Sequence, residues 1–148
     1  MADHVPYEIS MMRATHEMMI TGKLPLGLFF NAFIECFAIH ARLLSNFLNN
    51  RDDVKVKDFT TAGYTPFASG KIPTRLHDKL NQQIAHLTEK RFDDPQDKLN
   101  LGDVIELRKR IDAEIAEFLQ HMTPHYRDLW DTAEGHLRAW NDNGERVA

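Results

Sequence analysis

Eight histidines in 148 residues invite a metal reading. Imidazole is a good transition-metal ligand, but a site needs several donors at matched spacing. Di-iron helical bundles set a Glu-x-x-His pair on each of two helices. No such pair occurs in this chain. The nearest substitutes are Glu117 with His121, four apart, and His121 with His125, which straddle Pro124. No second cluster has matching spacing. These residues read as solvated groups at a helix end, where the dipole favours a histidine. No metal and no cofactor are expected. Nucleophilic chemistry has little support either. Cys36 falls on the apolar side of a helix, where a thiol is inert, and no nucleophile elbow, P-loop or GxGxxG occurs.

The histidine with the least ordinary surroundings is His40. It sits inside residues 26–48, LGLFFNAFIECFAIHARLLSNFL, the most hydrophobic run of the chain. At about 100° per residue, Asn31, Glu35, Arg42, Asn46 and Asn49 share a narrow polar stripe. His40 falls on the other side with Phe29, Phe33, Cys36, Leu43, Leu44 and Phe47. A titratable group facing a core must be hydrogen-bonded or held neutral. The expected role is a core histidine bonded to a carbonyl or carboxylate. Glu35 and Arg42 are seven apart, too far for an ideal intrahelical pair. They suit a polar seam between helices or a solvated edge. Phe29, Phe33, Phe37 and Phe47 spread over more of this helix than one core stripe requires, and a helix apolar nearly all round must be covered on most sides. That predicts a homodimer. The run is long enough to cross a membrane, but Glu35, His40, Arg42 and two asparagines, with Asn49 just beyond, are expensive at bilayer depth. A central buried helix is expected, with no membrane.

The elements that position these residues are helical throughout. A first helix is predicted over about 7–21, with Pro6 in the first turn, Glu8 complementing the dipole and Ile9, Met12, His16, Met19 and Ile20 on one face. The second starts near Pro25 and ends at Asn49-Asn50. Residues 51–72 form a long connection with Phe59, Tyr64 and Phe67 between Gly63, Pro66 and Gly70, and the aromatics imply packing on the bundle. A third helix opens at Pro73 and runs to about Arg91, with Leu76, Leu80, Ile84 and Leu87 as its stripe. A fourth starts with Asp103 as N-cap and Glu106 completing a capping box, followed by Val104, Leu107, Ile111, Ile115, Phe118 and Met122. A fifth has Thr123 as cap and Pro124 at its first position, then Tyr126, Leu129, Trp130, Ala133, Leu137 and Trp140. Residues 141–148 read as a frayed tail. The fold class is therefore all-α, a single four- to five-helix bundle over 1–148.

Bulk composition fits that reading. The hydrophobic fraction is 43% and the charged fraction 27%, as in an ordinary soluble domain. One cysteine excludes a disulfide framework and fits a reducing compartment, so a cytoplasmic location is expected. The N-terminus lacks the pattern of a signal peptide. A net charge of −4 gives RNA no support as a ligand.

The third helix carries the string Leu80-Asn81-Gln82-Gln83-Ile84-Ala85-His86-Leu87-Thr88, followed by Arg91. Here the chain resembles the HEPN superfamily of small helical bundles. Active members carry an Arg, then a polar residue, then several residues, then His, and cut RNA at a dimer interface. Asn81 matches the polar position and His86 the histidine. Leu80 stands where the arginine should be, which removes the group that would stabilise phosphate charge. The string NAFIECFAIHARLLSNFL followed by IAHLTEKR is also similar to an uncharacterised family of small bacterial helical proteins. Together the resemblance covers about residues 25–92. It implies a homodimeric, non-catalytic HEPN-like interaction module, whose relatives are often paired with a nucleotidyltransferase or another protein partner in defence or toxin systems. Binding residues would be Asn81, Glu35 and His40. A ribonuclease is the alternative, with Arg42 or Arg91 replacing the missing arginine and His86 as metal-independent acid–base. A metal-dependent bundle enzyme using His40, His86 and a carboxylate is the second alternative. Absent any such role, His86 is an exposed histidine beside Gln82 and Lys79, off the apolar stripe.

Overall fold

The computed structural model describes residues 4–22, 25, 27–51, 54–68, 70–84 and 97–138. Among them are five α-helices and no strand: α1 (His4–Ile20), α2 (Leu28–Leu48), α3 (Thr74–Ile84), α4 (Leu101–His121) and α5 (Pro124–Arg138). A 3-10 turn, Val56–Asp58, interrupts the connection between α2 and α3. The chain is an all-α bundle, as its periodicity requires. Helix α1 packs on α2, α4 and α5, while α2 also packs on α3 and α4.

The helix ends follow local chemistry. Helix α2 starts at Leu28, later than Pro25, because Gly27 takes φ 95°, a conformation that side chains disfavour. It ends where Asn49 Nδ2 donates to the Ser45 carbonyl at 2.8 Å and Asn50 turns left-handed at φ 56°. The cap of helix α4 lies three residues before the expected one. Asn100 is the N-cap, its Oδ1 accepting the Asp103 N–H at 2.9 Å, and Asp103 Oδ2 accepts the Asn100 N–H at 3.2 Å. Asp103 is thus the second half of the box rather than the cap, because an earlier short polar side chain was available.

The same carboxylate ties α3 to α4. Asp103 is buried, and it accepts from Arg75 Nη1 at 2.5 Å and from Lys79 Nζ at 2.7 Å. Burial alone would raise its pKa; the bonds from Lys79, Arg75 and the Asn100 amide outweigh that and hold it below 3.8. Lys79 is itself buried, beside Leu76 and Leu80 on the inward face of α3.

The core is one cluster. Phe37, Ala41, Leu44 and Leu48 of α2 meet Val104, Leu107, Ile111, Ile115 and Phe118 of α4, and Ile9, Met12 and Met19 of α1 join them. Ile20 and Leu129, expected on apolar stripes, are exposed instead. Both stripes are broader than the neighbouring helix can cover. The described residues of 51–72 fold onto the bundle. Val56 and Phe67 are buried, and Phe59 lies 4.7 Å edge-on to Tyr126. Thr61 N–H donates to the His121 carbonyl, and Thr123 N–H to the Phe59 carbonyl, each at 2.9 Å. The tail at 141–148 lies outside the described residues.

Removing the Asp103 carboxylate leaves Lys79 buried without a counter-charge. Asp103→Ala is expected to cost about 3–5 kcal/mol, and Lys79→Met about 1–3 kcal/mol because Arg75 and the Asn100 amide still serve the carboxylate. Urea unfolding with a common m-value checks both.

Candidate interaction surface

Helix α2 buries only part of its circumference. Ile34, Phe37, Ala38, Ala41, Leu44, Ser45 and Leu48 face α1, α3 and α4. The opposite side is also apolar. Leu28 is 82% exposed, Phe29 61%, Ile39 44% and Leu43 44%. Ala32 is exposed on the same side, and Cys36 is half-buried. These positions recur every three or four residues, so they form one stripe along the helix. Phe29 and Leu43 were expected to lie among core residues with His40. They lie outside because α1 and α3 flank α2 without covering its back.

The polar stripe is a rim beside this face. Glu35, Arg42, Asn46 and Asn49 are half-buried, and Asn31 is exposed. Arg42 lies close enough to α3 for its charge to act on His77. On the other rim, His40 Nδ1 is 2.5 Å from Glu8 Oε2 of α1, with only 12% of its side chain exposed. Tyr7 meets the imidazole edge-on at 6.1 Å. His40 is a carboxylate-bonded histidine in the α1–α2 seam. Glu8, expected to serve the helix dipole, is its partner. Burial, with Glu8 second, pushes the Cys36 thiol above its ordinary 9.0. The thiol form therefore dominates near neutral pH.

Of the residues proposed for chemistry, Asn81 and Arg42 stand near His77 of α3. Asn81 Nδ2 lies 3.0 Å from His77 Nδ1, and Arg51 Nη1 lies 2.9 Å from His77 Nε2. A neutral ring carries one N–H, so it accepts from Arg51 at Nε2 and donates at Nδ1, which turns the Asn81 amide oxygen toward it. His77 and Arg51 were missed by motif reading. Their only signal is tertiary, since 26 residues separate them. His86 and Arg91 lie outside the described residues. Glu35 and His40 stand on opposite rims of α2. Among the described residues, no group of three or more His, Cys, Asp or Glu is placed to hold a metal ion.

A cleft of about 460 Å³ opens elsewhere, between the 59–72 stretch and α4, lined in part by Tyr64, Glu114, Glu117 and His121. The Tyr64 hydroxyl donates to the buried Glu114 carboxylate. Burial and that bond push the phenol pKa far up, so Tyr64 is a donor, not a base. His121 Nδ1–H donates to the Glu117 carbonyl at 2.9 Å rather than to its carboxylate. The pair four apart therefore shares a backbone bond, not a ligand.

No family model matches this chain, and no curated protein or solved structure matches it.

Two histidines make stability depend on pH near neutrality. Burial, then Arg108, lowers the His16 pKa below 6.5; burial, then Arg51 and Arg42, lowers that of His77. The unfolded chain therefore takes up these protons first. Stability is fully present above 6.5 and falls as pH drops through that value, flattening below the folded pKa values. The urea midpoint is expected to decline between about pH 7.5 and about pH 5.5, and His77→Gln is expected to shrink the decline.

Proposed function

We propose that this protein is a non-catalytic helical interaction module of HEPN-like type, cytoplasmic, which acts as a homodimer through the outward face of α2. One observation carries the reading: Leu28, Phe29, Ile39 and Leu43 stand in water on a single helical stripe. Contiguous exposed apolar surface on a soluble domain marks an interaction site. Helix α2 is long and apolar enough by composition to cross a membrane. Against that stand Glu35, His40 and Arg42, and an inward face already buried in the core. A covered soluble face is the cheaper arrangement.

The test is sedimentation of the full chain at micromolar concentration. Wild type is expected to dimerise. Ile39→Glu and Leu43→Glu put an unpaired carboxylate into the contact and are expected to weaken association on the order of 100-fold, or about 2.7 kcal/mol. Both lie on the solvent side of α2, so their circular dichroism should match wild type. A monomeric wild type sinks the reading.

A second reading, RNA cleavage, is favoured by the grouping of Arg42, Arg51, Asn81 and His77. A guanidinium 2.9 Å from an imidazole, with a second whose charge reaches the ring, suits a phosphodiester. His86 and Arg91 remain the sequence-derived alternatives for the same roles. Structured RNA incubated with wild type, His77→Ala and His86→Ala separates them. Loss of cleavage on one substitution identifies the acid–base residue. Absence of cleavage by wild type removes this reading and leaves the module.

A further inference from the structure

The outward stripe of α2 has an uneven profile along its length. Its ends carry bulk, Leu28 and Phe29 at one and Ile39 and Leu43 at the other, and its middle carries Ala32 and Cys36. Two copies of such a stripe fit each other in only some orientations. Resting on the homodimer reading above, we infer that the α2 helices of two copies pack antiparallel about a two-fold axis level with Cys36.

The register follows from complementary sizes. With the axis at Cys36, Leu43 of one copy lies level with Phe29 of the other and one residue from Leu28, and Ile39 lies one residue from Ala32. Large residues meet small ones or one another's edges, and each apolar position faces an apolar one. A parallel pairing sets Leu28 on Leu28 and Ala32 on Ala32, which leaves a void along the middle. An antiparallel pairing shifted to bring Glu35 level with Arg42 centres between Ala38 and Ile39. It then sets Leu28 level with Asn49, and Phe29 level with Leu48, whose side chain is buried in the core and offers no outward surface. Two large apolar side chains left wet cost about 1.5–3 kcal/mol each, whereas a rim ion pair returns about 0–1 kcal/mol. Apolar burial therefore decides the register. Glu35 and Arg42 stay on the α3-side rim of the contact, where water still reaches them.

The area suits a second copy. Tyr7 and Met18, eleven residues apart and so on one side of α1, are also exposed. Tyr7 reaches the rim of the stripe through its contact with His40. At roughly 150–250 Å² for a whole large side chain, these two and the four stripe residues leave on the order of 600 Å² in water per copy. A standard interface buries about 800 Å² per partner, and Ala32, Cys36 and the polar rims supply the remainder. An isologous contact is also closed, so it ends at two copies.

Cys36 is the reporter. At the axis of helices packed about 8–10 Å apart, the two thiols come within disulfide reach. Wild type oxidised with copper phenanthroline is expected to form a Cys36–Cys36 dimer. In a Cys36→Ala background, Leu28→Cys and Leu43→Cys are expected to cross-link only when mixed. Each alone places its thiols about 22 Å apart along the helix, at 1.5 Å per residue. Homo-cross-linking of either variant alone, in a chain that still dimerises by sedimentation, overturns the antiparallel register and leaves the dimer standing. A wild type that sediments as a monomer overturns both. Flotation of the monomer with vesicles of phosphatidylcholine and phosphatidylglycerol assigns the stripe to a lipid surface instead.

Discussion

A single buried carboxylate, Asp103, closes three separate structural accounts at once. It completes the capping box of α4, neutralises Lys79 inside the core, and anchors Arg75 at the surface. Each of these groups would be costly alone. Lys79 buried without a partner would shed its proton or unfold α3 locally. Without the carboxylate, the Asn100 N–H at the start of α4 would lose its acceptor. Sharing one carboxylate meets both demands, and it fixes how α3 lies on α4. The placement of Leu76 and Leu80 in the core depends on that geometry.

With α3 held there and α1 on its other side, α2 is gripped along two flanks and beneath. Its inward face fills the core with Phe37, Leu44 and Leu48. Its flanks carry the polar residues: His40 bonded to Glu8 toward α1, and Arg42 near His77 toward α3. Only the back remains, and the back is apolar. This order explains why so hydrophobic a helix still contains Glu35, His40 and Arg42. The polar groups belong to the seams between helices, where a partner or water is within reach. The apolar residues belong to the two faces that the seams separate.

Much of this was legible along the chain. The α4 stripe from Val104 to Phe118 repeats at helical spacing, and the core contains those residues. The polar stripe on α2 was visible as angles on a wheel, as was the excess of phenylalanine. A carbonyl or carboxylate partner for His40 was expected from the cost of burying an imidazole. Its identity as Glu8 was not, because 32 residues separate the two. Asp103 was read as a cap and proved to be an ion-pair centre, since a box partner and a salt-bridge acceptor look alike in one dimension. His77 gave no motif at all. Its meaning comes from Arg51 and Asn81 arriving from other parts of the chain.

The sequence by itself determined that this chain is helical, roughly where each helix begins, and that α2 is apolar on more than one side. Those are local properties, set by periodicity and capping within a few residues. Which apolar side of α2 faces inward was not determined locally. Leu43 and Leu44 are the same residue type one position apart, yet one is 44% exposed and the other 1%. Only the count and placement of neighbouring helices separates them. Tertiary structure decided it, because burial is a property of the space around a side chain and not of the side chain itself.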